Sequence, residues 1–248
     1  MGSSISCLSK EDIRRKIWSL MEEMRISRFP KPVYGRIPNF IGSDEAARKI
    51  SGQEEFKRAK VVKVNPDSPQ RKIRHLTLLS GKLLVMPAPK LRSGFLILDP
   101  NKIPKRAYRE ASSIRGAFKY GKPCGISEMP KVDLIIVGSV AVSKDGVRVG
   151  KGGGYSEIEY GILREIGSIS DSTPIFTTVH DVQIVDAVPK EPHDLTVDLI
   201  ATPTKIIKVK RTCDRPKGIM WDKIPAGRIK RMPILADLKR AKFKISNF

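Results

Sequence analysis

The sequence predicts an α/β domain: a three-layer α/β/α arrangement with a mainly parallel central sheet, followed by a basic C-terminal extension. Three observations predict it. Short apolar, β-branched runs alternate with helix-patterned stretches through much of the chain, the signature of strand–helix–strand units. The run VDLIIVGSVAVS at 132–143 is apolar without alternation, as a strand covered on both faces is. A glycine-rich stretch, VRVGKGGGYSE at 147–157, joins that run to a helix-like one. Open α/β sheets bind ligands at that kind of junction.

Each element follows from local chemistry. Residues 9–26 read as an amphipathic helix, with Ile13, Ile17, Leu20, Met21 and Met24 at helical spacing. Ser9 can cap it, and Asp12 three positions later completes a capping box. Residues 29–42 hold three prolines and two glycines and should be irregular. Residues 44–58 are expected to form one helix. AKVVKV at 59–64 reads as a strand, QRKIRHLTLLSG at 70–81 as a helix stopped by Gly81, and KLLVMPAP at 82–89 as a strand closed by prolines. GFLILDP at 94–100 is a further strand, and 112–130 is less regular. The run at 132–143 is expected as one continuous strand, followed by a turn at KDG, the glycine loop, and a helix at 156–167. PIFTTV at 174–179 and LTVDLIATPTKIIKV at 195–209 supply the last strands, the latter as a pair or one bent strand. These boundaries place the α/β domain at 1–210 and the extension at 211–248, packed on or beside it, with one short helix at 234–241.

Composition narrows the function classes. With 248 residues and 40% hydrophobic content, the chain can form a packed core. No apolar run approaches the roughly 18 residues that suggest a membrane span, and no basic, then apolar, leader opens the chain. Cys7, Cys124 and Cys213 are scattered and odd in number, which argues against a disulfide framework or a zinc knuckle and for a cytoplasmic setting. Net charge is +21, and residues 205–248 carry 14 basic against 3 acidic side chains. Such a surface attracts nucleic acid, nucleotide phosphates and polyanionic metabolites alike. The extension has too few aromatic residues for a single-strand stacking platform, so nucleic acid is not favoured.

The glycine loop, Gly150 to Gly154, is the strongest functional signal. Without Cβ atoms its amides can close on an oxyanion, and the following helix adds its positive end. The loop fits neither GxxxxGK[ST] nor a GxGxxG opening a first βαβ unit. Lys10 and Arg14 lie one turn apart on the first helix and could serve the same anion. Glu157 after the loop and Asp194 before the last strands could hold Mg²⁺ on nucleotide phosphates. Each is also an ordinary residue for its place, a first-turn helix acid and a turn residue. His180 ends a strand that could face the cleft, and His193 reads as structural.

In combination these pieces resemble the 5-formyltetrahydrofolate cyclo-ligase family. The resemblance rests on Lys10-x-x-x-Arg14, on VDLIIVGSVAVSKDGVRVGKGGGYSE at 132–157 and on VPKEPHDLTVDLIATP at 188–203, in the family's order. It implies ATP and Mg²⁺ as cofactors and a reduced folate as substrate. In that reaction the formyl oxygen of 5-formyltetrahydrofolate is phosphorylated, N10 attacks, and phosphate leaves to give 5,10-methenyltetrahydrofolate. The resemblance places Lys10, Arg14, Arg148, Gly150, Lys151, Gly152, Gly153 and Gly154 at the nucleotide. It gives catalytic roles to Arg148, Lys151 and Tyr155, folate contacts to Tyr155 and Asp67, and the metal to Glu157 and Asp194. Two departures stand out. Ser156 and Glu157 follow Tyr155 where the family has a second aromatic residue and an Asp. Asp67, in NPDSPQR, is the nearest acid to the place of a family Glu. Alternatives are an ATP-using relative with another substrate, or a nucleic-acid-associated protein acting through the extension. The chain is expected as a monomer or homodimer.

Overall fold

The strand–helix alternation becomes an eight-stranded sheet between two helical layers. The computed structural model describes residues 8–211 and 214–245; Cys7 and Cys213 lie outside them. Helix α1 (Lys10–Glu23) opens the chain, and two short strands, β1 (Ser27–Arg28) and β2 (Asn39–Phe40), pair across the proline-rich segment. Then come α2 (Ser43–Ser51), α3 (Glu54–Arg58), β3 (Val61–Val64), α4 (Arg71–Leu79), β4 (Leu83–Pro87) and β5 (Phe95–Leu98). Next are α5 (Tyr108–Ala111), α6 (Ile114–Tyr120), β6 (Lys122–Cys124), β7 (Leu134–Gly138), β8 (Ala141–Ser143), β9 (Arg148–Val149) and α7 (Tyr155–Glu165). The chain continues through β10 (Ile175–Thr178), β11 (Ile184–Val185), β12 (Leu199–Ala201), β13 (Ile206–Lys208), α8 (Ala226–Lys230) and α9 (Pro233–Ile245).

The large sheet has the order β13-β12-β10-β7-β3-β4-β5-β6. Its five central strands, β12 to β4, run parallel, and antiparallel strands flank them on both sides. The pleat sends alternate side chains to opposite layers. Val62, Val64, Leu134 and Ile136 join the apolar cluster with α1, α2 and α4. Ile135 and Val137 join the one with α7 and α9. From β3 the chain crosses through α4 to β4 on one side; from β7 it crosses through α7 to β10 on the other. The order therefore reverses between β3 and β7. A crevice opens at such a switch point, at the carboxyl ends of the two strands.

Three expectations are corrected. The run at 132–143 is not one strand. It breaks at Ser139 and Val140, and β8 leaves the large sheet for a small one with β9 and β11. The only local mark of the break is Gly138-Ser139; the apolar residues on either side carry no periodicity that separates the two strands. Residues 44–58 form two helices, because Gly52 caps α2 and Gln53 restarts the chain as α3. At the start of α1 the Ser9 hydroxyl accepts from the Asp12 amide at 3.1 Å, but it also donates to the Asp12 carboxylate at 2.5 Å, so the reciprocal half of the capping box is absent.

The basic extension is integral to the second apolar cluster. Arg215 is fully buried, donating to the carbonyls of Thr196 at 3.0 Å and Thr173 at 3.1 Å and to Asp198 at 2.6 Å. Gly161 of α7 lets the segment approach: a Cβ there would meet Ile219 at 2.8 Å. Met232, Ile234, Leu235 and Leu238 are buried in the same apolar cluster as Ile158 and Ile162 of α7. Each contributes roughly 1.5–3 kcal/mol by burial. Their sum is comparable with the whole stability of an ordinary domain. Deleting 211–248 to test nucleic-acid binding would therefore test folding instead.

His180 is engaged in a turn rather than lining either chamber beside the glycine loop. Its Nδ1 accepts from the Val182 amide at 3.3 Å, capping the turn 181–183, and its ring meets Phe40 edge-on. Burial holds its pKa below the ordinary 6.5, and burial does the same for His75. The unfolded chain therefore binds these protons first as pH falls, so stability should decline from pH about 7 downward through that window. In urea titrations across pH about 5–7.5, a His180→Asn/His75→Gln variant should show a flatter decline. Parallel slopes for variant and parent would refute the assignment.

Candidate nucleotide and substrate site

The glycine loop stands at the switch point, between β9 and α7. Gly152 has φ +93° and Gly154 φ +60°, left-handed values that disfavour any side chain. Among the described residues, no protein acceptor takes the amide N–H groups of 150–154. The first-turn amides of α7 add to them, since a helix start has no internal partners for these groups. The loop is thus a row of free donors at the positive end of an eleven-residue helix.

Arginines close around that row. Arg14 Nε donates to the Gly150 carbonyl at 2.8 Å, and its guanidinium lies 3.6 Å from where a Gly152 Cβ would stand. Arg148 is only 2% exposed and lies 3.3 Å from the corresponding point at Gly150. Arg228, from α8, donates to the Gly153 carbonyl and comes within 3.7 Å of that point at Gly154. A Cβ at Gly150 would press on Arg148, while at Gly152 and Gly154 the positive φ, rather than the arginines, excludes a side chain.

Two chambers adjoin the loop. The first, about 290 Å³, is lined by Lys10, Arg14, Arg148, Glu157, Asp194 and the loop, with Glu191 and His193. Here most of the sequence-predicted phosphate and metal residues meet, but Lys151 and Gly153 line the other chamber instead. Lys10 bonds both carboxylate oxygens of Asp194, at 2.6 and 2.7 Å, and Glu191 at 2.5 Å. Arg148 pairs with Glu157 and donates to the Gly138 carbonyl at 2.8 Å, while its buried Nε has no partner. Lys10 holds the Glu191 carboxyl below the ordinary carboxylate range. Glu191, His193 and Asp194 also offer three ligand atoms within 4.8 Å of one another. Sequence reasoning passed over Glu191, whose only signal was its place three residues before Asp194.

The second chamber, also about 290 Å³, lies across the loop and is lined by Ile37, Asn65, Asp67, Lys90, Lys151 and Tyr155 among others. Asp67 and Tyr155, the expected folate contacts, meet here, and Lys151 pairs with Asp67 at 2.9 Å. Arg74 holds the 65–67 turn open from behind. It bonds the carbonyls of Ser112 at 2.8 Å, Asp67 at 3.0 Å and Asn65. Burial brings its pKa down to about 9, which leaves it charged at neutral pH.

Beneath this chamber lies a buried network that the sequence did not announce. Lys63 alternates with Val62 and Val64, so it faces the α7 layer. It donates to Glu159 at 2.5 Å and to Asn65 at 2.6 Å, and Asn65 donates to Ser156 at 2.9 Å. Ser156, the departure from the aromatic pattern, thereby ties α7 to the end of β3. Burial pushes the Glu159 carboxyl above the ordinary range, with Lys63 acting against it.

Fold and site together define an α/β protein whose glycine loop and a ring of cations stand at the topological switch point, between two chambers. The chain belongs to the 5-formyltetrahydrofolate cyclo-ligase family, whose sequence model matches residues 7–203. It is 44% identical over 239 residues to the methenyltetrahydrofolate synthase domain-containing protein of Bos taurus, covering 94% of this chain and 62% of that protein. The Homo sapiens protein of that name is 43% identical over 237 residues, again covering 94% of this chain and 62% of the relative. The chain thus spans less than two thirds of the length of these relatives. The solved 5,10-methenyltetrahydrofolate synthetase of Aquifex aeolicus has the same fold, with a TM-score of 0.51 at 17% identity, covering 87% of this chain and 99% of that one. Among the described residues, no helix is long and apolar enough to cross a membrane.

Proposed function

We propose that the chain is an ATP- and Mg²⁺-dependent cyclo-ligase that converts 5-formyltetrahydrofolate to 5,10-methenyltetrahydrofolate. Family membership supports the reaction class. The single observation that carries the nucleotide is the row of unpartnered amides at 150–154, ringed by cations.

The donor set suits a triphosphate. Arg148 keeps a buried, unpartnered Nε, and the glycine cradle is the space that a Cβ would fill. Lys10, Arg14 and Arg148 take the phosphate oxygens together with the loop amides. Glu157 and Asp194 are the carboxylates for Mg²⁺, which usually takes one or two and keeps water elsewhere. Both are ion-paired within the chain, so metal and nucleotide binding exchange these pairs rather than meet free charges. Tyr155 presents its ring to the second chamber as a stacking face for the pterin, and Lys151 and Asp67 bound that chamber's polar side.

When bound, ATP supplies the phosphoryl group that turns the formyl oxygen into a leaving group; attack by N10 then closes the ring. The protein's work is positioning and charge neutralisation. No nucleophilic side chain is needed.

The test is formation of the methenyl product in a mixture of 5-formyltetrahydrofolate, ATP and Mg²⁺, with ATP consumption followed in parallel. ATP consumption that is indifferent to the folate would redirect the proposal to another substrate. Lys10→Ala and Arg14→Ala should each weaken ATP binding about 10-fold or more, the scale of a lost hydrogen bond to a charged group. Calorimetric titration measures this. Unchanged affinity in both variants would remove α1 from the nucleotide site.

A further inference from the structure

We propose that Arg228, from the C-terminal segment beyond the family-matched region, is a catalytic cation supplied in cis to the transferring phosphoryl group. The inference rests on the ATP-dependent reading above and extends it to a residue outside the matched 7–203.

Four observations converge on Arg228. First, its guanidinium stands at a boundary. It lines the phosphate chamber with Lys10, Arg14 and Arg148. It also lines a chamber of about 380 Å³ on the other side, with Lys90, Arg92, Arg231 and Tyr155. Lys90 and Tyr155 continue from there into the proposed substrate chamber. The phosphate and substrate chambers themselves meet at Arg148, Gly150, Gly154 and Glu157, and Arg228 stands beside that seam, 3.7 Å from where a Gly154 Cβ would be.

Second, charge distinguishes it. In the phosphate chamber Lys10 is paired with Asp194 and Glu191, Arg14 with Glu11, and Arg148 with Glu157. Among the described residues, Arg228 has no carboxylate partner. It is the cation of that chamber with no acid paired to it, so it can answer charge that develops during transfer without first giving up an ion pair.

Third, it is held in place. The guanidinium lies 4.7 Å from the Tyr155 ring centroid, a cation–π distance, and donates to the Gly153 carbonyl. Four of its five N–H donors remain for a substrate. Fourth, its support is rigid. The turn after Pro225 carries it, and the buried Met232, Ile234 and Leu235 anchor that turn to the core.

The chemistry calls for such a group. The bond between the γ-phosphorus and the β–γ bridging oxygen breaks, and that oxygen leaves with the electron pair as part of ADP. A new bond forms from the formyl oxygen to the same phosphorus. Negative charge spreads over the three equatorial oxygens and the departing oxygen during the transfer. A guanidinium beside the seam between the two chambers can stabilise that charge more than it stabilises ground-state ATP.

The test compares the parent with Arg228→Ala and Arg228→Lys, and with Lys230→Ala as an exposed charge control. Expected for Arg228→Ala is a fall in kcat of about 10²–10³-fold. KM for ATP should change little. The lysine variant should recover part of the loss, and Lys230→Ala should match the parent. A binding readout stands beside these. ADP with Mg²⁺ and aluminium fluoride mimics the transferring group and should bind the parent at least tenfold more tightly than ADP with Mg²⁺ alone. Arg228→Ala should lose that gain while keeping its ADP affinity and its thermal midpoint. If Arg228→Ala retains both kcat and the aluminium-fluoride gain, or loses only KM, the residue is a loop clamp and the proposal is wrong. If the parent neither binds ADP nor consumes ATP with the folate, the nucleotide reading itself fails and the proposal with it.

Discussion

Replacing Lys63 with Met should lower the unfolding free energy by about 3–5 kcal/mol, a large fraction of the stability of an ordinary domain. The Lys63 and Glu159 side chains are 2% and 5% exposed and lie 2.5 Å apart. Removing the ammonium leaves a buried carboxylate with no counter-charge, and Asn65 loses a donor as well. The loss should depend on pH with a definite sign. Burial already raises the Glu159 pKa, and removing Lys63 raises it further. A carboxyl group that binds its proton more tightly when folded stabilises the fold at pH below its unfolded value. That contribution is lost as pH rises through the folded value. Lys63→Met should therefore be closest to the parent in mild acid and furthest from it at neutral pH. Adding Glu159→Leu should recover most of the loss, since an apolar pair of similar volume is often neutral. Urea denaturation at two pH values decides the matter. A Lys63→Met loss below about 1 kcal/mol that is not restored by the second substitution would mean that the pair is not formed.

Arg148→Lys should cost about 10²-fold in turnover while the protein stays folded. Arg148 joins two partners, the Gly138 carbonyl at the end of β7 and the Glu157 carboxylate at the start of α7, and keeps an unpartnered Nε for the proposed phosphate, a set that a lysine cannot hold together. Lysine keeps the charge but lacks the planar fork. The Arg148→Ala variant is harsher, because Glu157 then keeps its charge with no cation, so the lysine variant is the informative one. Single-turnover kinetics, with thermal melting as a control, measure the effect. Full activity in Arg148→Lys would mean that the fork geometry is irrelevant and that any local cation serves.

Both predictions turn on pairings between residues far apart in the chain, and this separates what could be read in advance from what could not. The sequence by itself determined the alternation of strand and helix, the two-sided burial of 134–138, the glycine loop at a strand-to-helix junction, and Lys10 and Arg14 on one face of α1. Each of these is local. It follows from a period of 2 or 3.6, from a missing Cβ, or from a cap, and it is written within a dozen residues. Tertiary structure alone decided the rest. It broke the run at Ser139 and Val140 and sent β8 to pair with β9 and β11 in another sheet. It set Lys63 against Glu159, Lys151 against Asp67, and Lys10 against Asp194. It turned the basic extension back onto α7 so that Arg228 reached the loop. Such contacts leave no periodic trace, because a charge sits wherever the fold brings its partner, and the sequence between the two need not record the distance.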